Sequence, residues 1–507
     1  MSPAAPTTSS SPASNTRMPR ALLILAKLAL AIATGVLLRF VLNLHPLWWL
    51  VWIVPALPLL IAIRFPPREA RWMAAFAVII GASSNFHYYR LVMPLPAAIL
   101  VIALQSWLWI FLIFASRRLI VRYQSWWTVL VYPVLCVAVD SLAAALLPDG
   151  NWGSLAYSQG DNLPVLQTAS LFGVSGVLFL VTLVPSALAV AVAYGRSLGR
   201  AWLAYTLTAF LLAASLMYGY ARLRQPVTGT ATTFGLVSID DPIGPRASAA
   251  YASNIRAGYD NMVQALAGQG AQIVVLPEKI AVLLPAKVSD WQQHFSTLAR
   301  QDHVWLEVGI GVDDGHSPAN WSWLFTPKGE LASSYEKHHM APPERRQHYA
   351  SGTDYNVLAV DGQTYGLAIC KDMHFAAFGH EYGLRHAAVM LVPAWDFDYL
   401  DGWLEARTTV FRGIENGYTI VRASREGLLT LSDPYGRILA EAPSSKLPGR
   451  SLLATVAVAG SLPTLYTRIG NLFGWLCVAS AVMFLALGRT LRPKSSSRAA
   501  QSLSKHA

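Results

Sequence analysis

Three side chains in the second half of the chain are of the types needed to attack an acyl group and carry the charge that develops. Cys370 ends the apolar run TYGLAIC (364–370) and is followed at once by Lys371 and Asp372. A thiol attacks as the thiolate, so it needs a base to take its proton or a cation to hold its charge. Glu278 ends a second apolar run, QIVVLPEK (272–279), and a carboxylate brought beside the thiol can serve as general base. Lys337 lies in Tyr335-Glu336-Lys337-His338-His339. An ammonium there can stabilise a thiolate and donate to a tetrahedral oxyanion. Singly, each has a plainer reading: an inert buried cysteine, a glutamate opening a surface loop, a solvated lysine. Together a Glu, a Lys and a Cys form a complete apparatus for thiol acylation.

The elements that must bring these residues together alternate between strands and helices. Strand character runs through TFGLVSID (233–240), QIVVLPEK, VWLEVGIGV (304–312), WSWLFTPKGE (321–330), TYGLAIC and AAVMLVPAW (387–395). Helices are expected up to about Gly268, near 289–301 and over 401–416, with a hairpin-like segment after the last. This alternation predicts an α/β domain with helices covering the sheet. Both Glu278 and Cys370 then stand at strand C-terminal ends, where sites in such sheets gather.

In this order the residues resemble the nitrilase superfamily of carbon–nitrogen hydrolases. That family carries a Glu after a strand, a Lys in a Y-x-K-x-x-x-x-P type loop and a Cys after another strand. The matching segments are LPE ending at Glu278, YEKHHMAPPE holding Lys337 and LAICKD holding Cys370. PKGE (327–330), the R-x-x-E-N set Arg412, Glu415 and Asn416, and the turn DPYGR (433–437) are further family-like features. The resemblance covers roughly 230–455 and implies an αββα sandwich. It also implies that Glu344, seven residues past Lys337, is a second glutamate supporting the lysine. Asp372 occupies a position where many soluble relatives also have Asp. Lys371 departs from the Tyr-Glu that usually follows the nucleophile in the family's acyltransferases. It is expected either to depress the thiol pKa or to point into solvent.

Outside this domain the composition is that of a membrane protein. Of 507 residues, 54% are hydrophobic and only 13% charged, against about 25% charged in an average soluble chain. A bilayer core needs about 20 apolar residues of helix. Candidate spans are 21–43, 46–65, 70–88, 94–116, 127–147, 164–193, 200–221 and 471–488. The 70–88 segment is interrupted by Ser83, Ser84 and Asn85. The expected organisation is a disordered cytoplasmic tail over 1–20, a seven-helix membrane domain over 21–221, a catalytic domain over 228–460, a C-terminal membrane helix over 471–488 and a cytoplasmic tail over 489–507. Arg17 and Arg20, Arg64 to Arg71, Arg117 to Arg122, Arg196 and Arg200, and Arg489 to Lys494 fall on one side of the spans. By the positive-inside rule both termini are cytoplasmic and the catalytic domain is on the outer side. The net charge of +11 follows this orientation pattern rather than a nucleic-acid footprint.

Other signals carry less. Cys136 and Cys477 lie in apolar runs, so Cys370 has no partner for a disulfide or a metal cluster within its domain. No pair among His338, His339, His374, His380 and His386 has the i,i+4 helical spacing of a zinc site. No metal and no cofactor is expected. GIG (309–311) is read as a strand-end feature, Asn320-Trp321-Ser322 as a sequon without consequence, and His45 to Trp49 as an interfacial aromatic belt.

A nitrilase-like domain between seven helices and one helix resembles the apolipoprotein N-acyltransferase family. NWGSLAYSQGDNLPVLQ (151–167) resembles that family's W-x-x-x-x-Y-S-Q segment. The resemblance implies a bacterial cytoplasmic-membrane enzyme, expected as a monomer. It implies an acyl chain taken from a phospholipid onto Cys370 as a thioester and passed to the α-amine of the diacylglyceryl cysteine of an apolipoprotein. Glu278 would be the base, Lys337 the oxyanion donor, and Glu344 and Asp372 supporting residues. The alternatives are a membrane-anchored amidase or nitrilase-type hydrolase, in which water replaces the amine, and a non-catalytic relative that binds envelope partners.

Overall fold

The computed structural model describes residues 20–490, so the expected tails lie outside it except at their inner edges. The first half is helical. α1 (Arg20–Leu42) is followed by the short α2 (Ala56–Arg64), α3 (Pro67–Ala82), α4 (Phe86–Val92) and α5 (Leu95–Tyr123). Then come α6 (Val131–Leu146), the single turn α7 (Leu163–Leu166), α8 (Ala169–Tyr194) and α9 (Ala201–Leu223). Among the described residues, five helices are long and apolar enough to cross a membrane: α1, α5, α6 with the turn before it, α8 and α9. They turn large apolar side chains outward, such as Leu25, Trp107, Phe210 and Met217, as helices facing lipid do. α8 is the most enclosed, with Val177, Val181, Ser186 and Val190 fully buried.

The 46–65 and 70–88 segments fold as shorter pieces than a single span. The former gives only Leu50–Arg64 as an apolar helical stretch. The latter breaks at Ser83–Asn85 into α3 and α4. There Asn85 Nδ2 donates to the carbonyl of Leu42 at 2.8 Å and Arg39 donates to Ser83 Oγ at 3.0 Å, so side chains answer backbone groups where the helix stops. α1 and α3 pack closely because Gly35 faces Ile80 and Gly81 faces Leu38. A Cβ on either glycine would come within 2.7 Å of the opposing Cβ, the small-residue contact usual between membrane helices.

The second half is a two-sheet sandwich. Its elements are β1 (Thr230–Ser238), α10 (Ala249–Gly268), β2 (Ile273–Val275), β3 (Ala281–Leu283), α11 (Val288–Asp302), β4 (Trp305–Val312), β5 (Ala319–Phe325), β6 (Leu331–Glu336) and α12 (Pro342–Arg346). There follow β7 (Val357–Val360), β8 (Gln363–Leu367), α13 (Ala376–Leu384), β9 (Val389–Trp395), α14 (Gly402–Asn416), β10 (Thr419–Arg425), β11 (Leu428–Ser432), β12 (Ile438–Pro443) and β13 (Arg450–Val458). α15 (Leu465–Ile469) and α16 (Leu472–Thr490) close the described chain. One sheet runs β13-β1-β2-β4-β5-β6, with β3 on β4, and the other β12-β11-β10-β9-β8-β7. Phe234, Leu236 and Val275 of the first sheet meet Leu367, Leu391 and Ile420 of the second in one buried core. The parallel strands at the centre are apolar on both faces because each face is covered. α11 shows why a helix covers the first sheet: Trp291, Phe295, Leu298 and Ala299 recur on one stripe and are buried.

α14 covers the second sheet and is itself covered. Every residue from Leu404 to Asn416 is buried, although the stretch contains Glu405, Arg407, Arg412 and Glu415. The polar face docks onto the helical half. Arg412 pairs with Glu415 at 2.7 Å and donates to Tyr157 Oη at 2.7 Å. Glu415 Oε1 accepts from the amide of Val174 at 2.9 Å. Arg407 reaches Asp161 at 2.8 Å and also pairs with Glu441. Removing one member of a buried pair leaves an uncompensated charge, at a cost of about 3–5 kcal/mol. Arg412→Met is therefore expected to lower thermal stability in detergent by that order, and Arg412→Met/Glu415→Gln to recover part of the loss. Equal stability of Arg412→Met and wild type would remove this pair from the docking account.

Candidate active site

Glu278 is carried past the end of β2 on the turn Pro277-Glu278-Lys279. Its amide donates to the carbonyl of Ala394 at the end of β9, at 3.2 Å, which ties the first sheet to the second. This turn can press against β4 only because residue 309 is glycine: a Cβ there would stand 2.4 Å from the Pro277 carbonyl oxygen. The expected strand-end reading of Gly309 is thus a close backbone approach. Lys337 follows β6, and its amide donates to the Asn320 carbonyl at 2.9 Å. β8 ends at Leu367, and Cys370 opens a tight turn rather than ending the strand. Its φ of +46° lies in the left-handed region that costs a non-glycine residue about 1–3 kcal/mol. Such a turn aims the thiol away from the strand. Sγ sits 3.5 Å from the Trp395 carbonyl oxygen.

The expected residues converge in one dry cluster. Lys337 Nζ donates to Glu278 Oε1 at 2.8 Å and to Glu344 Oε2 at 2.9 Å. Lys337 is 1% exposed, Glu278 2% and Glu344 4%, so neither the solvated-lysine nor the surface-glutamate reading survives. Glu344 sits in α12 and also accepts from the amide of Ala341 at 2.8 Å. Two members were not foreseen. Asn320 Nδ2 donates to Glu278 Oε1 at 2.6 Å and Glu344 Oε1 at 2.8 Å, and Lys279 Nζ donates to Glu344 Oε1 at 2.6 Å. A polar residue at an inward position of the strand ANWSWLF (319–325) was the available signal for Asn320. Glu278 Oε2 is buried without a hydrogen-bond partner among the described residues.

Asp372 joins the lysine loop to the cysteine turn. Its Oδ1 accepts from the amides of His338 and His339 at 3.1 and 2.8 Å, and its Oδ2 from Tyr335 Oη at 2.7 Å and the amide of Ile369 at 3.0 Å. The residues on either side of Lys337 are thus pinned to the residue before Cys370. Lys371 does neither of the things expected of it. Its side chain is buried and pairs with Asp149 of the helical half, which Arg345 also holds at 2.9 Å. His374 pairs with Glu405, and Trp152 Nε1 donates to Glu405 Oε1 at 2.7 Å. The cysteine turn is therefore bolted to the loop that precedes α8. Arg412, Glu415 and Asn416 lie in the docking helix rather than in the reacting cluster.

Charge and burial set the resting state. Burial pushes the Cys370 thiol well above its ordinary range and Glu278 adds to this, while Lys337 opposes it. Burial would lower the Lys337 ammonium, but Glu278, Glu344 and Cys370 hold it well above the usual lysine range. Burial would raise Glu344, but Lys337 and Lys279 outweigh it and hold its carboxyl far below the usual range. Burial lowers the Lys371 ammonium, with Asp149 opposing. The resting site is thus a neutral thiol beside a carboxylate with one free oxygen, an arrangement for proton transfer on attack rather than a stored thiolate. Alkylation of Cys370 by iodoacetamide should then still be rising with pH at pH 9, as followed by mass spectrometry. A plateau reached by pH 7 would show a preformed thiolate instead.

Two family models match the chain. Apolipoprotein N-acyltransferase N-terminal domain matches residues 34–188, and Carbon-nitrogen hydrolase matches residues 245–458. The apolipoprotein N-acyltransferase of Geobacter metallireducens is 25% identical over 70% of this chain and 73% of that protein. The apolipoprotein N-acyltransferase of Gloeobacter violaceus is 26% identical over 88% of this chain and 91% of that protein. Among solved structures, an amidase from Nesterenkonia sp. is similar at 21% identity and a TM-score of 0.37, over 46% of this chain and 92% of that one. The two models fall on the helical half and the sandwich in turn, the relatives run through both, and the chain is accordingly similar to apolipoprotein N-acyltransferases over most of its length, with a nitrilase-like domain.

Proposed function

We propose that this enzyme moves an acyl chain from a membrane phospholipid, through a thioester on Cys370, to the N-terminal α-amine of the diacylglyceryl cysteine of an apolipoprotein. The observation that carries the reading is the free, buried Oε2 of Glu278 in a cluster with Lys337, beside a neutral buried thiol, on a domain docked to apolar helices. Glu278 takes the thiol proton as Sγ attacks the ester carbonyl. Lys337 holds the oxyanion. The tetrahedral species expels the lysophospholipid alkoxide, which recovers the proton from Glu278, leaving the thioester. The acceptor amine then attacks the thioester carbon and gives a proton to Glu278. The thiolate leaves and is reprotonated, and an amide remains. Glu344 and Asp372 hold Lys337 and its loop in place. A cavity of about 270 Å³ between the helices, bounded by Tyr132, Trp152, Leu178 and Leu404, offers apolar room near the docking helix for a chain.

The same reading takes the helical half as multi-pass. Besides the five long helices, Leu50–Arg64 and Leu472–Gly488 are short apolar helices and α3 with α4 is a broken one. These would raise the count to eight, with the sandwich on the outer face of the cytoplasmic membrane and both termini inside. A reporter fused after Ala507 that is active only outside the cell would overturn this orientation.

Wild-type enzyme incubated with phospholipid should gain one acyl chain, labile to hydroxylamine, and Cys370→Ser should lose turnover. Glu278→Gln keeps shape but not basicity, at a cost of about 10²–10⁴-fold in thioester formation. Lys337→Met removes the oxyanion charge, at about 10²–10³-fold. Both groups act on one transition state, so the double variant should be little worse than the poorer single one. Because Lys337 is enclosed with two carboxylates, its loss also weakens the fold, and rates are to be compared at matched folded protein. Normal acylation by Cys370→Ala, or multiplicative losses in the double variant, would refute the assignment.

A further inference from the structure

Beside the base stands a second lysine with no part in the chemistry so far. Lys279 directly follows Glu278, is 4% exposed, and holds φ at +47°, a backbone conformation costly for a lysine. Its Nζ is 2.6 Å from Glu344 Oε1 and 3.7 Å from Glu278 Oε1. The ammonium lies over the rings of Tyr349 and Trp395, 4.9 and 5.1 Å from their centroids. Its own carbonyl accepts from Arg425 at 3.3 Å. A lysine solvated by chance would not be enclosed on every side, and a residue present only to turn the chain would not need an ammonium.

The use of that ammonium follows from counting charge. Glu278 and Glu344 bring two negative charges, and Lys337 brings one positive charge to both. Without Lys279 the set carries a net charge of −1, and Lys337 is divided between two carboxylates. With Lys279 the set is neutral, and Glu344 has a cation of its own. The groups facing Glu278 are Lys337 and Asn320 from the first sheet, Glu344 and Tyr349 from α12 and the loop after it, Cys370 from its turn, and Arg425 from β10. Of the cations, Arg425 is engaged with the Trp395 ring at 3.9 Å and with the Lys279 carbonyl, so Lys279 is the one placed to balance Glu344.

We propose that Lys279 is a positioning residue of the acyl-transfer site: by neutralising Glu344 it keeps Lys337 committed to Glu278 and keeps the cluster free of net charge, which sets the lowest pH at which Glu278 can act as base. The proposal rests on the acyl-transfer reading above. An unbalanced carboxylate beside a general base favours the protonated base. The acid limb of the rate profile, which reports protonation of that base, therefore moves to higher pH when Lys279 loses its charge. An opposite charge at this range is worth about one to three pH units.

The test is single-turnover thioester formation on Cys370 of the full-length enzyme in micelles containing phosphatidylglycerol, followed by mass spectrometry from pH 5 to pH 9. In Lys279→Met and Lys279→Gln the acid limb should move up by at least one pH unit, with the rate recovering on the alkaline side. Lys279→Arg should leave the limb in place. Lys279→Met/Glu344→Gln restores neutrality and should bring the limb back towards wild type, even though its rate is lower at every pH. A purely structural lysine would lower the rate evenly and would not be answered by losing a carboxylate. An unmoved limb in both neutral variants, no return in the double variant, or failure of both neutral variants to fold would overturn the proposal. Absence of thioester in the wild type would instead overturn the acyl-transfer reading itself.

Discussion

Two carboxylates and two ammonium groups share a volume from which water is almost wholly excluded, and this arrangement holds only if every charge keeps an opposite neighbour within hydrogen-bond range. Lys337 bridges Glu278 and Glu344, Lys279 closes on Glu344, and Asn320 donates to both carboxylates. Burying such a set is expensive, and a half-satisfied version would cost more than an apolar core. Much of the sandwich can be read as the means of meeting that condition. β5 supplies Asn320, the loop after β6 supplies Lys337, α12 supplies Glu344, and Gly309 makes the space through which the Glu278 turn passes. Among the carboxylate oxygens of the cluster, Glu278 Oε2 is the one left without a hydrogen-bond partner among the described residues, and it is the oxygen that the proposed mechanism uses as base.

A second constraint comes from the helical half. α14 carries charged residues on its outer side yet is buried along its length, because what covers it is the polar segment running from Asp149 to Val174 rather than lipid. Its partners there are Trp152, Tyr157, Asp161 and Val174. The cysteine turn is attached to the same segment by Lys371 with Asp149 and by His374 through Glu405. Cys370 is thus fixed with respect to the apolar helices, not merely tethered near them. For the acyl transfer proposed above, this fixed placement would remove much of the orientational freedom that otherwise opposes attack.

The strands and most helices were legible because their signals are local: apolar runs of strand length, an amphipathic stripe in α11, turn residues between them. Glu278, Lys337, Glu344, Cys370 and Asp372 were legible because their order along the chain is distinctive. Asn320 was not, since in sequence it is one polar residue within a sequon, and only the register of β5 on β4 and β6 turns it towards the carboxylates. Lys279 was hidden in the same way, as a lysine at a strand end reads as solvated. Lys371 was misread because its partner, Asp149, lies 222 residues away. The helical count was harder still. Serine and asparagine side chains that cap their neighbours' backbones split one apolar stretch into two short helices, and hydropathy does not register a break made by hydrogen bonds.

The neutral resting thiol and the dry cluster point to the same chemical requirement. A thioester waiting for an amine is lost if water reaches it first, and a stored thiolate is exposed to oxidants and stray electrophiles. In the proposed mechanism, a thiol that ionises only as it attacks, beside a base whose other oxygen is already engaged, limits the second loss. Enclosure of Glu278, Lys337 and Cys370 between two sheets, with the cysteine turn fastened to membrane helices, limits the first. The features that make the site costly to fold are in this sense the features that favour aminolysis over hydrolysis. They account for a nitrilase-like sandwich serving a transferase when its cysteine turn is docked on apolar helices.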